Sequence, residues 1–150
     1  MIQQMPVPVE QVEGEIRAVD LIRAYLIGDA DIVARVMDCA CGVTRAYMRQ
    51  QLDGLLHQAV LADSALRLGE RFVMGPVGLA WLETVPMSEA VTAAVLSLAG
   101  DGSNSSWRQL TEDDSDTALA LSAAARMVAA WGIDGALERL AAVRAVVSQP

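Results

Sequence analysis

Apolar residues recur at intervals of three and four along most of this chain, a spacing typical of the buried face of an α-helix. The pattern first holds from about Glu15 to Gly28 and predicts a helix that ends at that glycine. Its buried positions are predicted to be Ile16, Val19, Ile22 and Leu26. Asp29 is suited to cap a second helix, which we expect to end at Gly42.

The longest uninterrupted pattern runs from Val43 to Leu68 and contains no proline. It predicts one long helix whose main apolar stripe is Met48, Leu52, Leu55, Ala59, Ala62 and Leu66. A second stripe, at intervals of seven, consists of Tyr47, Gly54, Leu61 and Leu68. A helix that is apolar on two sides needs a second partner, which is either another helix of the same chain or another molecule.

Local signals for helix ends divide the rest of the chain. They predict a break near Pro76, a short helix to Thr84, a helix capped by Ser88, a loop at 101–106 (DGSNSS), a helix from Thr111 to Gly132 and a last helix beyond it. No alternation of β-branched residues is long enough to predict a strand.

We therefore predict an all-α, compact single-domain bundle of six or seven helices around the long helix at about 43–68. Pro6 and Pro8 favour extended backbone, so residues 1–14 are predicted to form a flexible N-terminal arm. Residues 15–150 are predicted to form one helical domain, a size that allows a substantial core.

Composition narrows the possible partners. The chain is 53% hydrophobic and carries a net charge of −8, which disfavours direct binding to nucleic acid or to an anionic membrane surface. No secretory signal and no apolar run of ~18 residues is visible in the sequence. We therefore expect a cytoplasmic protein with reduced cysteines and no membrane span.

The stretch MDCACG, residues 37–42, and the single histidine are the candidates for chemistry. Cys39 and Cys41 could bind a metal with His57, or take part in redox chemistry. If they lie on one helix, however, their side chains point about 200° apart and cannot share a metal. The alternative, which we favour, is that the cysteines mark a helix end and that Asp53 orients His57 on the surface.

Three other motifs are weaker. Asp101 begins a calcium-loop-like spacing that ends at Glu112, but a serine stands where the turn needs glycine. The helical hairpin at residues 24–39 resembles a helix-turn-helix, but acidic residues stand where its recognition helix would meet phosphates. The acidic run at 112–116, EDDSD, is suited to the first turn of a helix.

The leading hypothesis is a non-enzymatic interaction, regulatory or adaptor protein that binds a protein partner, itself or both through a helical face. Its predicted interface is Tyr47, Gly54, Leu61 and Leu68, and no cofactor is expected. One alternative is a ligand- or metal-binding bundle, possibly a small enzyme, with a pocket near Cys39, Cys41 and His57 and with Trp81 or Trp131 lining it. Another is an acidic decoy of a nucleic-acid-binding protein.

Overall fold

The helices predicted from apolar spacing are present in a computed structural model, which describes residues 7–39, 41–63, 67–68, 71–72, 75–97 and 110–149. Within these residues the fold is all-α, with a two-residue β-ladder. The helices are α1 (Val9–Ile27), α2 (Ala30–Met37), α3 (Gly42–Ala62), α4 (Pro76–Leu82), α5 (Glu89–Leu96) and α6 (Glu112–Val147). None of them is long and apolar enough to span a bilayer.

The start of α1 corrects the predicted N-terminal arm. Residues 9–14 are helical, and Pro8 occupies the N-cap position. A missing N–H is tolerated there, and the Pro8 carbonyl accepts hydrogen bonds from the N–H groups of Gln11 and Val12. Residues 1–6 lie outside the described residues. The helix ends as predicted at Gly28, whose φ of 73° is a left-handed conformation that favours glycine.

Helix α2 begins as predicted but ends earlier. The carboxylate of Asp29 accepts a hydrogen bond from the Ile32 N–H at 3.1 Å. The helix ends at Met37, not at Gly42, which is instead the first residue of α3.

Arginines from two other helices bind the last carbonyls of α2. Arg17 donates to the Val36 carbonyl at 3.0 Å, and Arg45 donates to the Met37 carbonyl at 3.3 Å. These bonds satisfy groups that have no partner within the helix, so α2 can stop at Met37.

Helix α3 is the predicted long helix, but it ends at Ala62 and not at Leu68. Asp63 follows it and is buried. Its carboxylate accepts hydrogen bonds from the Gly75 N–H at 3.0 Å and from Arg126 at 3.4 Å. These two contacts hold the residue that follows the helix, and spacing along one sequence could not reveal them.

Two short strands follow, contrary to the prediction of no strand. They are β1 (Arg67–Leu68) and β2 (Arg71–Phe72), which pair antiparallel in a two-residue ladder. Leu68 therefore lies in a strand and does not continue a stripe on α3. The predicted loop at 101–106 lies outside the described residues. The calcium-loop-like spacing from Asp101 also lies outside them, except for its last positions at 110–112.

The core lies where α1, α3 and α6 pack on one another. Its fully buried side chains include Leu21, Ile22, Met48, Leu52 and Leu140. A second cluster joins α4 and α5 to the first half of α6 and contains Leu82, Val91, Ala94, Val95, Ala118, Leu121 and Ala125. Helix α6 therefore takes part in both clusters.

Two glycines allow close helix packing. A Cβ at Gly14 of α1 would lie 2.5 Å from the Thr44 carbonyl oxygen of α3. A Cβ at Gly78 of α4 would lie 2.4 Å from the Ala125 carbonyl oxygen of α6. Both distances are far below van der Waals contact, so only glycine fits these positions without a shift of the backbone.

Helix α6 combines a predicted start with a predicted break. The Thr111 side chain accepts a hydrogen bond from the Asp114 N–H at 3.1 Å and caps the helix. Gly132 has a φ of 74° and interrupts the helical backbone, as expected from the sequence. The Ser88 cap of α5 is also confirmed, since its hydroxyl accepts a hydrogen bond from the Val91 N–H at 3.2 Å.

Candidate functional site

The two cysteines lie in the connection between α2 and α3. Cys41 is the N-cap residue of α3 and is exposed, and the Cys39 thiol donates to the Cys41 carbonyl at 3.7 Å. The Thr44 hydroxyl, then the backbone N–H groups of Thr44 and Val43, lower the pKa of the Cys41 thiol. The sulfur makes no regular capping hydrogen bond. MDCACG thus spans the end of one helix and the start of the next.

The structure separates His57 from these cysteines. His57 is exposed on α3, sixteen residues after Cys41. At 1.5 Å per residue, the two positions are about 24 Å apart along the helix axis. One pocket therefore cannot contain Cys39, Cys41 and His57. Among the described residues, no group of three His, Cys, Asp or Glu side chains could hold a metal ion.

The tryptophans proposed to line that pocket lie elsewhere. Trp81 borders a concavity of about 540 Å³ between the α1–α2 turn and the end of α4, together with Tyr25 and Val33. Burial raises the pKa of the Tyr25 hydroxyl, and a hydrogen bond with Thr117 opposes this shift. Trp131 lies on α6 beneath Arg139, whose guanidinium carbon is 3.9 Å from the centre of its rings.

The predicted second stripe of α3 does not form one surface. Tyr47 is half-buried at the contact with Gly14 of α1. Gly54 and Leu61 are exposed, and Leu61 is 53% accessible. Leu68 lies beyond the end of the helix. Only Gly54 and Leu61 therefore remain as neighbouring exposed positions on α3.

A different surface combines apolar and charged side chains. A groove of about 820 Å³ lies between α1 and α2. We call it the α1–α2 groove. Its apolar lining consists of Val7, Val9, Val12, Ile16, Ile32 and Val36. Val7 and Val9 are 57% and 76% exposed, so the groove is open to solvent at this end.

Four of the eleven basic residues of the chain also line the groove: Arg17, Arg23, Arg35 and Arg144. Two carboxylates accompany them, and each already has a partner. Glu13 pairs with Arg17 at 3.1 Å, and Asp20 pairs with Arg144 at 3.0 Å. The groove thus has an excess of two positive charges in a molecule whose net charge is −8.

The excess comes from Arg23 of α1 and Arg35 of α2. Both are exposed, and neither has an ion pair or a side-chain hydrogen bond with the described residues. Their guanidinium groups keep five donors each for another molecule. Arg17, in contrast, is held by Glu13 and by the carbonyls at the end of α2.

The other main group of arginines holds two helices together. Arg45 and Arg49 of α3 bind Asp116 of α6, with Nε to carboxylate distances of 2.8 and 2.7 Å. Arg45 also binds Asp113, and Arg49 binds Glu112 at 2.7 Å. We call these five residues the α3–α6 clasp.

Electrostatics in the clasp favour the charged arginines. Hydrogen bonds with Asp116, and then with Glu112, raise the pKa of Arg49. Burial acts to lower the pKa of Arg45, but hydrogen bonds with Asp116 and Asp113 outweigh it and raise the pKa overall. Three carboxylates of the run at 112–116 are therefore bound by arginines of α3, while the side chains of Glu112 and Asp113 remain 65% and 70% exposed.

Comparison with protein-family models, with curated proteins and with solved structures finds no match to this chain. The function is therefore argued from the geometry alone.

Sequence reasoning missed the α1–α2 groove, although a signal for it exists. The sequence prediction gives α1 one apolar face, which runs from Ile16 to Leu26. Val9, Val12 and Ile16 form a second stripe at intervals of three and four, and this stripe leads into the groove. The prediction of a flexible arm at residues 1–14 leaves Val9 and Val12 outside any helix, so this second stripe does not follow from it.

Proposed function

We propose that this protein is a non-enzymatic interaction protein that binds another protein through the α1–α2 groove. The observation that carries the proposal is the convergence of six aliphatic side chains and four arginines in one open groove. Arginine is enriched at protein interfaces, and the buried centre of an interface is more apolar than its rim.

The lining of the groove favours binding over catalysis. The described residues that line it include no serine, cysteine, histidine or lysine, the side chains that most often act as nucleophiles or as general bases near neutral pH. Its carboxylates, Glu13 and Asp20, are both engaged by arginines. Binding of another protein requires apolar surface and positioned charged groups, and the groove provides both.

The openness of the groove favours a protein over a small molecule. Pockets for small ligands bury most of the ligand surface. Here Val7 and Val9 are more than half exposed, and Arg23 and Arg35 extend into solvent. Such a surface covers one side of an occupant, as protein interfaces do.

A photo-cross-linking amino acid at position 9, introduced in the cells that make the protein, tests the proposal. Val77 on α4 is the matched control, because it is also an exposed valine but lies outside the groove. We expect the Val9 variant to form a covalent product with a different protein, identified by mass spectrometry, and the Val77 variant not to form it. Absence of that product, or a product with itself alone, would overturn the proposal.

We also propose self-association through Gly54 and Leu61 of α3. The supporting observation is that Leu61 is 53% exposed and that Gly54, two turns earlier on the same face, is also exposed and lets another helix approach closely. Sedimentation velocity of Leu61→Glu should show loss of any dimer, while Val43→Glu, at an exposed position near the start of the same helix, should leave it intact. Equal behaviour of the two variants contradicts the proposal.

A further inference from the structure

The walls of the α1–α2 groove have the dimensions of a helix-binding site. Its α1 residues run from Val9 to Arg23, a length of about 21 Å at 1.5 Å per residue. The opposite wall is provided by Ile32, Arg35 and Val36 of α2, which share one face at intervals of three and four. Two helical walls form a groove into which the ridge of a third helix can pack.

The apolar lining specifies one face of the occupant. Val9, Val12 and Ile16 lie one turn apart on α1, and Val36 faces them from α2. The stripe from Val9 to Ile16 is about 10.5 Å long at 1.5 Å per residue, so a partner helix covers it with apolar residues at intervals of three and four along about two turns. Its next two turns lie along the charged part of the groove. The four turns together require about fourteen residues, which match the length of the groove.

The free arginines specify where the occupant carries charge. Arg23 lies on the α1 wall and Arg35 on the α2 wall, and Asp20 and Arg144 complete the lining. At physiological salt the Debye length is about 8 Å, so the excess charge within the groove acts on a bound segment more strongly than the net charge of distant surfaces does. Carboxylates on the two sides of a partner helix complement these arginines, and lysines there are repelled.

We infer that the occupant is an amphipathic helix of a partner protein with carboxylates on both sides of its apolar face, an inference that rests on the proposed function. A single strand of nucleic acid is less suited, because none of the described residues that line the groove is aromatic and could stack on bases, and because the net charge is −8.

Binding of synthetic helices to the full chain tests this inference. The acidic peptide carries leucines at intervals of three and four with glutamates on both sides of the leucine face, and its matched control has lysine in place of each glutamate. Fluorescence anisotropy should show binding of the acidic peptide about tenfold tighter than that of the basic peptide. The ratio should decrease as salt is raised, because the arginines are exposed.

Variants of the chain locate the binding. The double variant Arg23→Glu and Arg35→Glu should weaken binding of the acidic peptide about tenfold and reverse the preference. Arg139→Glu, which makes at one position outside the groove the change made at each of these two arginines, should bind like the original chain. Circular dichroism checks that the fold is retained, and the double variant Arg23→Gln and Arg35→Gln provides a milder change at the same positions.

The outcomes separate the inference from the proposed function. Equal binding of both peptides, binding of neither, or binding that the arginine variants leave unchanged overturns the inference. In each of these cases, a Val9 cross-link to a different protein still supports the proposed function. A DNA oligonucleotide that displaces the acidic peptide from the groove would also overturn the inference, in favour of an anionic strand.

Discussion

The α3–α6 clasp and the α1–α2 groove use the same side chain in opposite ways. In the clasp, Arg45 and Arg49 share the fully buried carboxylate of Asp116 and have further carboxylates beside them. In the groove, Arg23 and Arg35 are exposed and have no ion pair with the described residues. The first pair is saturated within the chain, and the second retains its hydrogen-bonding capacity.

The difference shows that pairing with carboxylates of the same chain, not residue type, separates the arginines of the clasp from Arg23 and Arg35. A buried ion pair is costly to break, because the remaining charge has lost its water and its partner. An exposed arginine is hydrated and contributes little to folding. Substitutions of clasp residues should therefore lower the stability of the fold. Substitutions of Arg23 and Arg35 should instead weaken binding of the proposed partner.

Removal of the central carboxylate of the clasp should have the largest effect. We expect Asp116→Ala to lower the free energy of unfolding by about 3 kcal/mol, because Arg45 stays buried and loses its main partner. Urea denaturation measures the change. Asp114→Ala, in the same turn of α6 but without an ion pair among the described residues, should cost less than about 1 kcal/mol. Similar losses for the two variants would show that the clasp does not stabilise the fold.

A matched pair of glycines tests how firmly the groove wall is attached to the rest of the fold. Gly14→Ala places a methyl group 2.5 Å from the Thr44 carbonyl oxygen, and we expect a loss of about 2 kcal/mol in the free energy of unfolding. Gly54→Ala meets nothing within 4 Å and should gain about 1 kcal/mol from helix propensity. Urea denaturation of both variants should give opposite signs. A neutral Gly14→Ala would mean that α1 can shift on α3.

Arg17 lines the groove, but its substitution should also lower the stability of the fold, as substitutions in the clasp do. It donates to the Val36 carbonyl at the end of α2, so Arg17→Ala should lower the free energy of unfolding by about 1 kcal/mol. Arg23→Ala should change it by less than about 0.5 kcal/mol, because Arg23 is exposed and has no ion pair with the described residues. Thermal unfolding compares them. If Arg23→Ala is as destabilising as Arg17→Ala, the division into structural and free arginines is wrong.

The smallest expected effect is a change in the reactivity of Cys41, which lies between α2 of the groove and α3 of the clasp. Its pKa is lowered in the folded chain by Thr44 and by the backbone N–H groups of Thr44 and Val43. The folded thiol therefore ionises at lower pH than the unfolded one, and at neutral pH it should react faster with iodoacetamide. The pH dependence of alkylation in Cys39→Ser, with and without urea, measures this shift. A midpoint that is the same or higher in the folded chain contradicts it.

Signals confined to neighbouring residues predicted much of the fold. The stop at Gly28, the caps at Asp29, Ser88 and Thr111, and the break at Gly132 are all present where the sequence indicated them. Each depends on backbone geometry or on a hydrogen bond to a residue three positions away. Such features are local, so a single sequence contains the information.

The errors arose where distant residues determine local structure. Helix α2 ends at Met37 because Arg17 and Arg45 bind its last carbonyls, and α3 ends at Ala62 because Asp63 contacts Gly75 and Arg126. No spacing along the chain indicates these contacts.

The candidate site was harder still to predict from the sequence. The clasp joins Arg45 to Asp116 across 71 positions, and the groove combines side chains from α1, α2 and the end of α6. The pocket expected near Cys39, Cys41 and His57 also depends on distances that the sequence does not give, since α3 places His57 about 24 Å from Cys41 along its axis.

The ion pair between Asp20 and Arg144 can form only late in the synthesis of the chain. These residues are 124 positions apart, and together they complete one end of the groove. At about 5–20 residues per second, a ribosome needs roughly 6 to 25 seconds to extend the chain from one to the other. During this interval α1 has emerged without α6 to cover its core face. A partner that required the whole groove would therefore bind only chains in which Arg144 has reached Asp20 and the helices have packed.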